Sequence, residues 1–421
     1  MTAPRTAMLP RIGLELRYPV EFFWLLALAF FLPLYEAPKN ICWLAYVLTW
    51  IYNRARAREW GGPWDRWDSL IALWIASAYL AAVFAGIHHD EWSEANDVAR
   101  YASVLWTLKR SRHSERAALC ILFVVVAATL LTLAWGYWRL YAAKTDGTLV
   151  LNSVGHVNHS AVYMGIVFGV ALSASLAYWQ RLGAAGRTAL GASVAALLVS
   201  VFVTDSRAAV GAAVLFVFAL VAALGLRGRV DVRRGLLIAV LGVGAVLAAL
   251  PGVLDKTVDR TERGLTFAYR DKIWSNALVE WRRFPFFGVG MGNFGRVPLD
   301  QLKEWSSSQD WSFRATADGV NSHAHSLYFT TLAERGVVGL GVLLAVLAAW
   351  GLAILRGTPR AQDPPIDWTL FGSALAGWIM TVVVGLLNTT LHHEHGILAV
   401  LLLGLWLSHR SGAGGPGQDR T

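Results

Sequence analysis

Two arginines and a histidine in this chain are of types, and at positions, that could do chemistry. Arg207 falls in Thr204-Asp205-Ser206-Arg207-Ala208-Ala209, a tight polar turn between two long apolar runs. The plain use of such a residue is to reach toward lipid headgroups or to pair with Asp205. The other basic residues crowd the loops of the opposite side, so an arginine here reads as an anion site. Arg270 opens an amphipathic segment, where a surface ion pair with Asp271 is the simplest role. Together the two guanidinium groups make a fork for a diphosphate. They stay charged at any working pH, donate paired hydrogen bonds to phosphate oxygens, and stabilise the charge that a departing diphosphate acquires. His325, in Asn321-Ser322-His323-Ala324-His325-Ser326, lies where a polar segment meets the next apolar run. Imidazole is the usual base near neutral pH for a hydroxyl that must lose its proton, and helix capping is the alternative. His323 and His325 make at most a partial metal site, since no third ligand is evident.

Two further clusters invite weaker readings. His392-His393-Glu394-His395 joins the last two apolar runs and reads as a wet interface turn, with metal or anionic headgroups as alternatives. Gly288-Val289-Gly290-Met291-Gly292 has the look of a nucleotide loop but no strand–helix context, so it reads as a flexible turn. Cys42 and Cys120 lie within apolar runs and suggest neither a disulfide framework nor a zinc site.

The elements that must carry these residues are apolar. Of 421 residues 56% are hydrophobic and only 15% charged, with 20 Trp, and the mean hydropathy is +0.46. Soluble domains carry nearer a quarter charged residues, so lipid is the main solvent. Apolar runs at 117–135, 189–203 and 236–250 approach or reach the length that crosses a hydrocarbon core. They are continuous rather than alternating, which selects helices over a barrel. The predicted fold is an all-α polytopic membrane protein of about twelve transmembrane helices. Its spans fall near 20–35, 39–53, 67–86, 97–108, 116–138, 159–179, 188–204, 208–226, 235–250, 336–355, 367–387 and 394–408. Nine spans occupy residues 1–250. A large loop with amphipathic helices and the candidate catalytic residues fills 251–335, three more spans fill 336–410, and a disordered tail covers 411–421.

Charge order fixes the expected orientation. The fourth span is short and interrupted by Arg100, yet it must cross. Arg54, Arg56, Arg58 and Arg66 precede the third span, the acidic stretch 88–94 follows it, and Lys109, Arg110, Arg112 and Arg116 come next. Arg181, Arg187, Arg227, Arg229, Arg233, Arg234, Arg356, Arg360 and Arg410 then fall on that same basic side, which is cytoplasmic and holds both termini. Arg5, Arg11 and Arg17 precede a first span read as retained rather than cleaved. This bias accounts for the net charge of +9 without nucleic acid as a partner. Apart from Arg100 the span centres hold almost no ionisable residues, which disfavours a solute transporter. The helix predicted from Arg270 to Pro285 carries Ile273, Trp274, Ala277, Leu278 and Trp281 as one stripe, suited to the membrane surface or to packing over span ends.

Several of these pieces carry a family likeness. His325-Ser326, a nine-residue spacer and Gly336-Val337-Val338-Gly339 resemble the signature of the O-antigen ligase and polymerase superfamily. Thr204-Asp205-Ser206-Arg207-Ala208 resembles that superfamily's Ser-Arg turn. Arg270, Trp274, Pro285, Gly288, Gly290 and Phe294 resemble its external loop, and Gly155-His156-Val157-Asn158-His159 the segment before its sixth span. The likeness covers most of the chain from about residue 150 onward. It implies a multi-span, GT-C-like glycosyltransferase of the bacterial (Gram-negative) inner membrane with a periplasmic active site and no metal or other cofactor. The donor would be undecaprenyl diphosphate-linked O-antigen and the acceptor lipid A–core oligosaccharide, with inversion at the anomeric centre. Arg207 and Arg270 would then hold the diphosphate and His325 would activate the acceptor hydroxyl, with His323, His156, His159 and Arg100 as secondary candidates. Gly336 and Gly339 would let helices pack closely. The sibling readings are O-antigen polymerase and protein O-oligosaccharyltransferase. The oligomeric state is not legible.

Overall fold

The computed structural model describes residues 17–145, 147–231, 270–308 and 322–413, with positions 233, 240 and 244 between them. Among these residues there are thirteen α-helices and no strand. The helices are α1 (Pro19–Phe31), α2 (Glu36–Ala57), α3 (Arg66–Val83), α4 (Glu91–Lys109), α5 (Glu115–Tyr137, ending in a π turn), α6 (Val157–Tyr178), α7 (Ala184–Val203) and α8 (Arg207–Leu226). After the undescribed stretch come α9 (Arg270–Arg283), α10 (Leu299–Ser308), α11 (Leu327–Gly357), α12 (Pro365–Val384) and α13 (His393–Ala413). Every predicted span coincides with one of these helices except that at 235–250, which lies outside the described residues. The chain is an all-α, multi-pass membrane protein.

Six helices are long and apolar enough to cross a bilayer by length and composition, and α1 is a shorter apolar helix. The others at predicted spans, α2, α3, α4 and α13, are more polar, and much of their charge is neutralised inside the bundle. Glu21 accepts from Arg54 at 3.2 Å, Asp68 accepts from Arg110 at 2.7 Å and lies 2.9 Å from Lys109, and Lys39 pairs with Glu394 in the interior. Charges that hydropathy counts against a span are thus paired rather than presented to lipid. The centre of the bundle is α6 against α12, where Gly169 meets Ala376 and Gly372 meets Ser173, so that the backbones approach closely.

The loops divide between two ends as the charge order requires. At the basic end, Arg229 donates to the Ala361 and Asp363 carbonyls at 3.0 and 3.1 Å, and His409 lies 2.6 Å from Asp367. Asp65 and Asp68 form a capping box that starts α3 there. At the other end, Asn152 donates to the Leu34 carbonyl at 2.7 Å, Gly86 N–H to Gly288 O at 3.1 Å, and His393 N–H to the Tyr101 hydroxyl at 2.9 Å. Helix α4 therefore runs the full distance, from Glu91 at this second end to Lys109 at the basic one.

Helix α11 is two helices joined at a kink. At Gly336 the backbone leaves helical geometry (φ 61°, ψ −164°), and the segment Pro285–Gly290 fills the gap. Val337 N–H donates to Pro285 O at 2.9 Å, while Val289 and Gly290 N–H groups donate to Ala333 and Glu334 carbonyls at 2.9 and 3.1 Å. A Cβ on Gly336 would overlap the Phe286 carbonyl, and one on Gly288 (φ 72°) would overlap the Ala333 carbonyl. The stretch expected to be a flexible turn is instead backbone-bonded on both sides, to α11 and to the α3–α4 loop. The carbonyls and N–H groups freed by the helix break supply those bonds.

Candidate active site

Arg207 is the first residue of α8, with Ser206 at the N-cap position and Asp205 in the left-handed region (φ 59°). The helix N-terminus adds its own positive potential to the half-buried guanidinium. Arg270 opens α9. One turn on, Trp274 shares its face, donates its indole N–H to the Ala324 carbonyl at 3.2 Å and stacks on Phe329 with ring centroids 5.0 Å apart. Ala324 is the residue between His323 and His325, so the helix that bears Arg270 also pins the histidine turn. Ala324 N–H donates to Thr330 Oγ1 at 3.2 Å, and Ile273, Ala277, Phe294, Ala324 and Ala333 close an apolar cluster beneath. His325 itself is left-handed (φ 48°), held just before Ser326, the N-cap of α11. A non-glycine residue kept in that conformation is strained and persists because its surroundings overdetermine it.

The packing alternative for α9 is the one observed. Ile273 and Ala277 of the predicted stripe are buried, whereas Trp274, Leu278 and Trp281 are half-buried, and Ser275, Asn276 and Glu280 are buried as well. Covered on more than one side, the helix is docked against α11 because the Pro285–Gly290 ladder draws it there.

The three principal candidates interact electrostatically. Burial, then the Arg207 charge, lowers the Arg270 pKa from its ordinary value. Burial, then Arg270 and His156, lowers that of His325. Arg270 Nε is buried with no hydrogen-bond partner among the described residues. Two guanidinium groups under each other's charge, one with an unmet donor, have the chemistry to receive an anion. His325 stays neutral near pH 7 and so keeps a lone pair for a proton.

The secondary candidates separate. His323 lies 4.5 Å from His325 by ring centroids, and burial, then His325, pushes its pKa down to about 4. His156 is exposed at the N-cap of α6, where its Nδ1 accepts from Asn158 N–H at 3.2 Å, with its ring 5.1 Å from that of His159. Arg100 is not among the residues that line the cavity next to His323, though its partner Asp97 is. It pairs with Asp97 at 3.0 Å and lies over Trp43 at 5.3 Å.

Beside the His323–His325 turn is a cavity of about 300 Å³, whose walls include His323, His159, His392, His393, Glu94 and Glu334. Arg207, Arg270 and His325 are not among its lining residues, so His323 is the bridge between the arginine–histidine group and the cavity. The cluster read as a wet interface turn is interior at two of its four positions, Glu394 and His395, while His392 and His393 retain exposure. Glu394 is buried in its ion pair with Lys39 and accepts from Ser153 Oγ at 3.0 Å, and His395 is 1% exposed. Sequence reasoning did not select Glu94, Glu334 or Arg335 as site residues. The only signal for them was charge beside a span end.

Residues 192–344 match a family model described as O-antigen ligase, a segment that begins within α7 and ends within α11. It takes in Arg207, Arg270, His323 and His325 and bears out the resemblance read from the motifs. No curated protein matches the chain.

Proposed function

With residues 192–344 assigned to the O-antigen ligase family, we propose that the chain is a glycosyltransferase that moves an O-antigen glycan from undecaprenyl diphosphate to lipid A–core oligosaccharide. The observation that carries this reading is that the helix bearing Arg270 is tied through Trp274 to the His323–His325 turn, with Arg270 under the charge of Arg207 and His325 under that of Arg270. In the reaction, His325 takes the proton of the acceptor hydroxyl as its oxygen attacks the anomeric carbon. The bond from that carbon to the diphosphate oxygen breaks on the opposite face, and the electron pair leaves with the diphosphate. Arg207 and Arg270 hold that leaving group and stabilise its developing charge. A single displacement of this kind inverts the anomeric centre. A diphosphate departs without a general acid, so one base is enough. The site end of the bundle would face the periplasm of a Gram-negative inner membrane, and the basic end the cytoplasm.

The test is a reaction with purified full-length protein and undecaprenyl diphosphate-linked glycan, offered lipid A–core and a second lipid-linked glycan in parallel. Product on lipid A–core alone is expected. Product on the lipid-linked glycan alone would make the chain a polymerase, and no product on either would overturn the reading. Arg207→Ala and Arg270→Ala should each lower the rate on the order of 10²–10³-fold, and His325→Ala about 10²–10⁴-fold, with folding intact.

A further inference from the structure

We infer that His159, His392 and His393 form a binding site for a divalent transition-metal ion of the zinc class, on the wall of the cavity beside His323. One ring nitrogen from each lies within 4.8 Å of the others, a spacing that small ring rotations bring to the Zn–N distance of about 2.0–2.1 Å. All three line the cavity, so an ion held there keeps a position open toward it for water or an anionic oxygen.

The surroundings of His392 suit a ligand: its Nδ1 is buried with no partner among the described residues, while Nε2 is turned toward the Glu94 carboxylate at 3.9 Å. A ligating histidine characteristically turns its second nitrogen to a carboxylate, which orients the ring and raises its basicity. His395 is the second, independent observation. It is 1% exposed, its ring lies 5.1 Å from that of His159, and neither of its nitrogens has a partner among the described residues. A neutral imidazole always carries one donor and one acceptor, and burying both unmet is unfavourable. An ion held by the neighbouring His159 gives such a ring a charge beside it to polarise it. The rings are also crowded: His392 and His393 centroids are 3.6 Å apart, and His159 lies 5.9 and 5.6 Å from them. Imidazoles so close cannot all be protonated, and the neutral form is the one that coordinates. Ligand type then selects the metal, since three imidazoles and a nearby carboxylate suit zinc and its neighbours rather than magnesium or calcium.

This site goes beyond the transfer reaction, whose diphosphate is held by arginines, and its test needs neither donor nor acceptor. Purified full-length protein is stripped with chelator, equilibrated with low-micromolar Zn²⁺, passed over a desalting column and analysed for metal. One ion per chain is expected. His159→Ala and His392→Ala should each abolish retention, while the exposed pair His88→Ala/His89→Ala should retain it. Thermal unfolding should show a zinc-dependent rise in Tm for wild type that is absent in the two ligand variants. Should those variants fail to fold, Glu94→Gln should weaken binding roughly tenfold, and Co²⁺ added to wild type should give the intense visible bands of a four-coordinate nitrogen site. Wild-type protein that retains no zinc overturns the proposal, as does retention unchanged by substitution at His159 or His392, or a Co²⁺ spectrum like that of the aqueous ion.

Discussion

At the scale of single residues, the decisive feature is like charge held together. Arg270 sits where burial and then the Arg207 charge oppose its own, surroundings that favour an anionic ligand in the proposed reaction. The same field acts on His325, whose pKa is lowered by burial, Arg270 and His156. A base works when neutral, so kcat/KM should stay level as pH falls to the ordinary histidine value of about 6.5 and decline only below it. Arg270→Gln, besides slowing transfer, should move that decline toward higher pH, which a pH–rate profile in stable buffers would reveal. Glu280 gives a separate check. Burial, then Glu334, raises its carboxyl pKa, so it is protonated when folded and ionised when unfolded. Its contribution is fully present below the unfolded carboxyl value of about 4.3 and is lost as pH rises toward the raised folded value. Glu280→Gln does not titrate, and its Tm should exceed wild type by a margin that grows with pH. Equal Tm values at neutral pH would show that Glu280 has a buried cation or donor. Arg207, Arg270 and His325 were picked out in the sequence by residue type and by their place in motifs, which fall within the matched segment 192–344. The cluster of His159 with His392 and His393 was not, because residues more than two hundred positions apart meet only once the bundle is packed.

At the scale of elements, the long helix α11 and the loop it grips do the positioning. Hydropathy located almost every helix, since a continuous apolar run has few other structures open to it in lipid. It did not reveal the break at Gly336, because glycine inside an apolar run reads as a tolerated packing residue. Only the facing backbone of Pro285–Gly290 shows why glycine is required. Gly336→Ala should lower stability by about 1–3 kcal/mol for the disallowed conformation alone, and more for the overlap with Phe286, read as a fall in Tm in detergent. Trp274→Phe is the gentler probe. It keeps the stack on Phe329 but loses the bond to the Ala324 carbonyl, of about 1 kcal/mol. Its kcat should fall more than its KM changes, with Tm nearly that of wild type.

At the scale of the whole molecule, the two ends of the bundle are chemically distinct. Charge order alone predicted that separation, and the loop contacts reproduce it, down to the short α4 with its buried charges. With Cys42 and Cys120 replaced, single cysteines at Ser69 and Ser93, both exposed and at opposite ends of the α3–α4 hairpin, should be labelled from opposite sides of sealed vesicles. The discontinuity in α11 has a mechanical consequence. A rod-like span would transmit every change in tilt to whatever rides on its tip. Here the break is bridged by Pro285–Gly290, bonded to the upper piece through Ala333 and Glu334 and to the lower one through Val337, so tilt of the lower piece is not carried along a continuous helix. Reconstituted into lipids of progressively longer acyl chains, the protein should therefore keep a nearly constant turnover until a length at which the whole assembly fails.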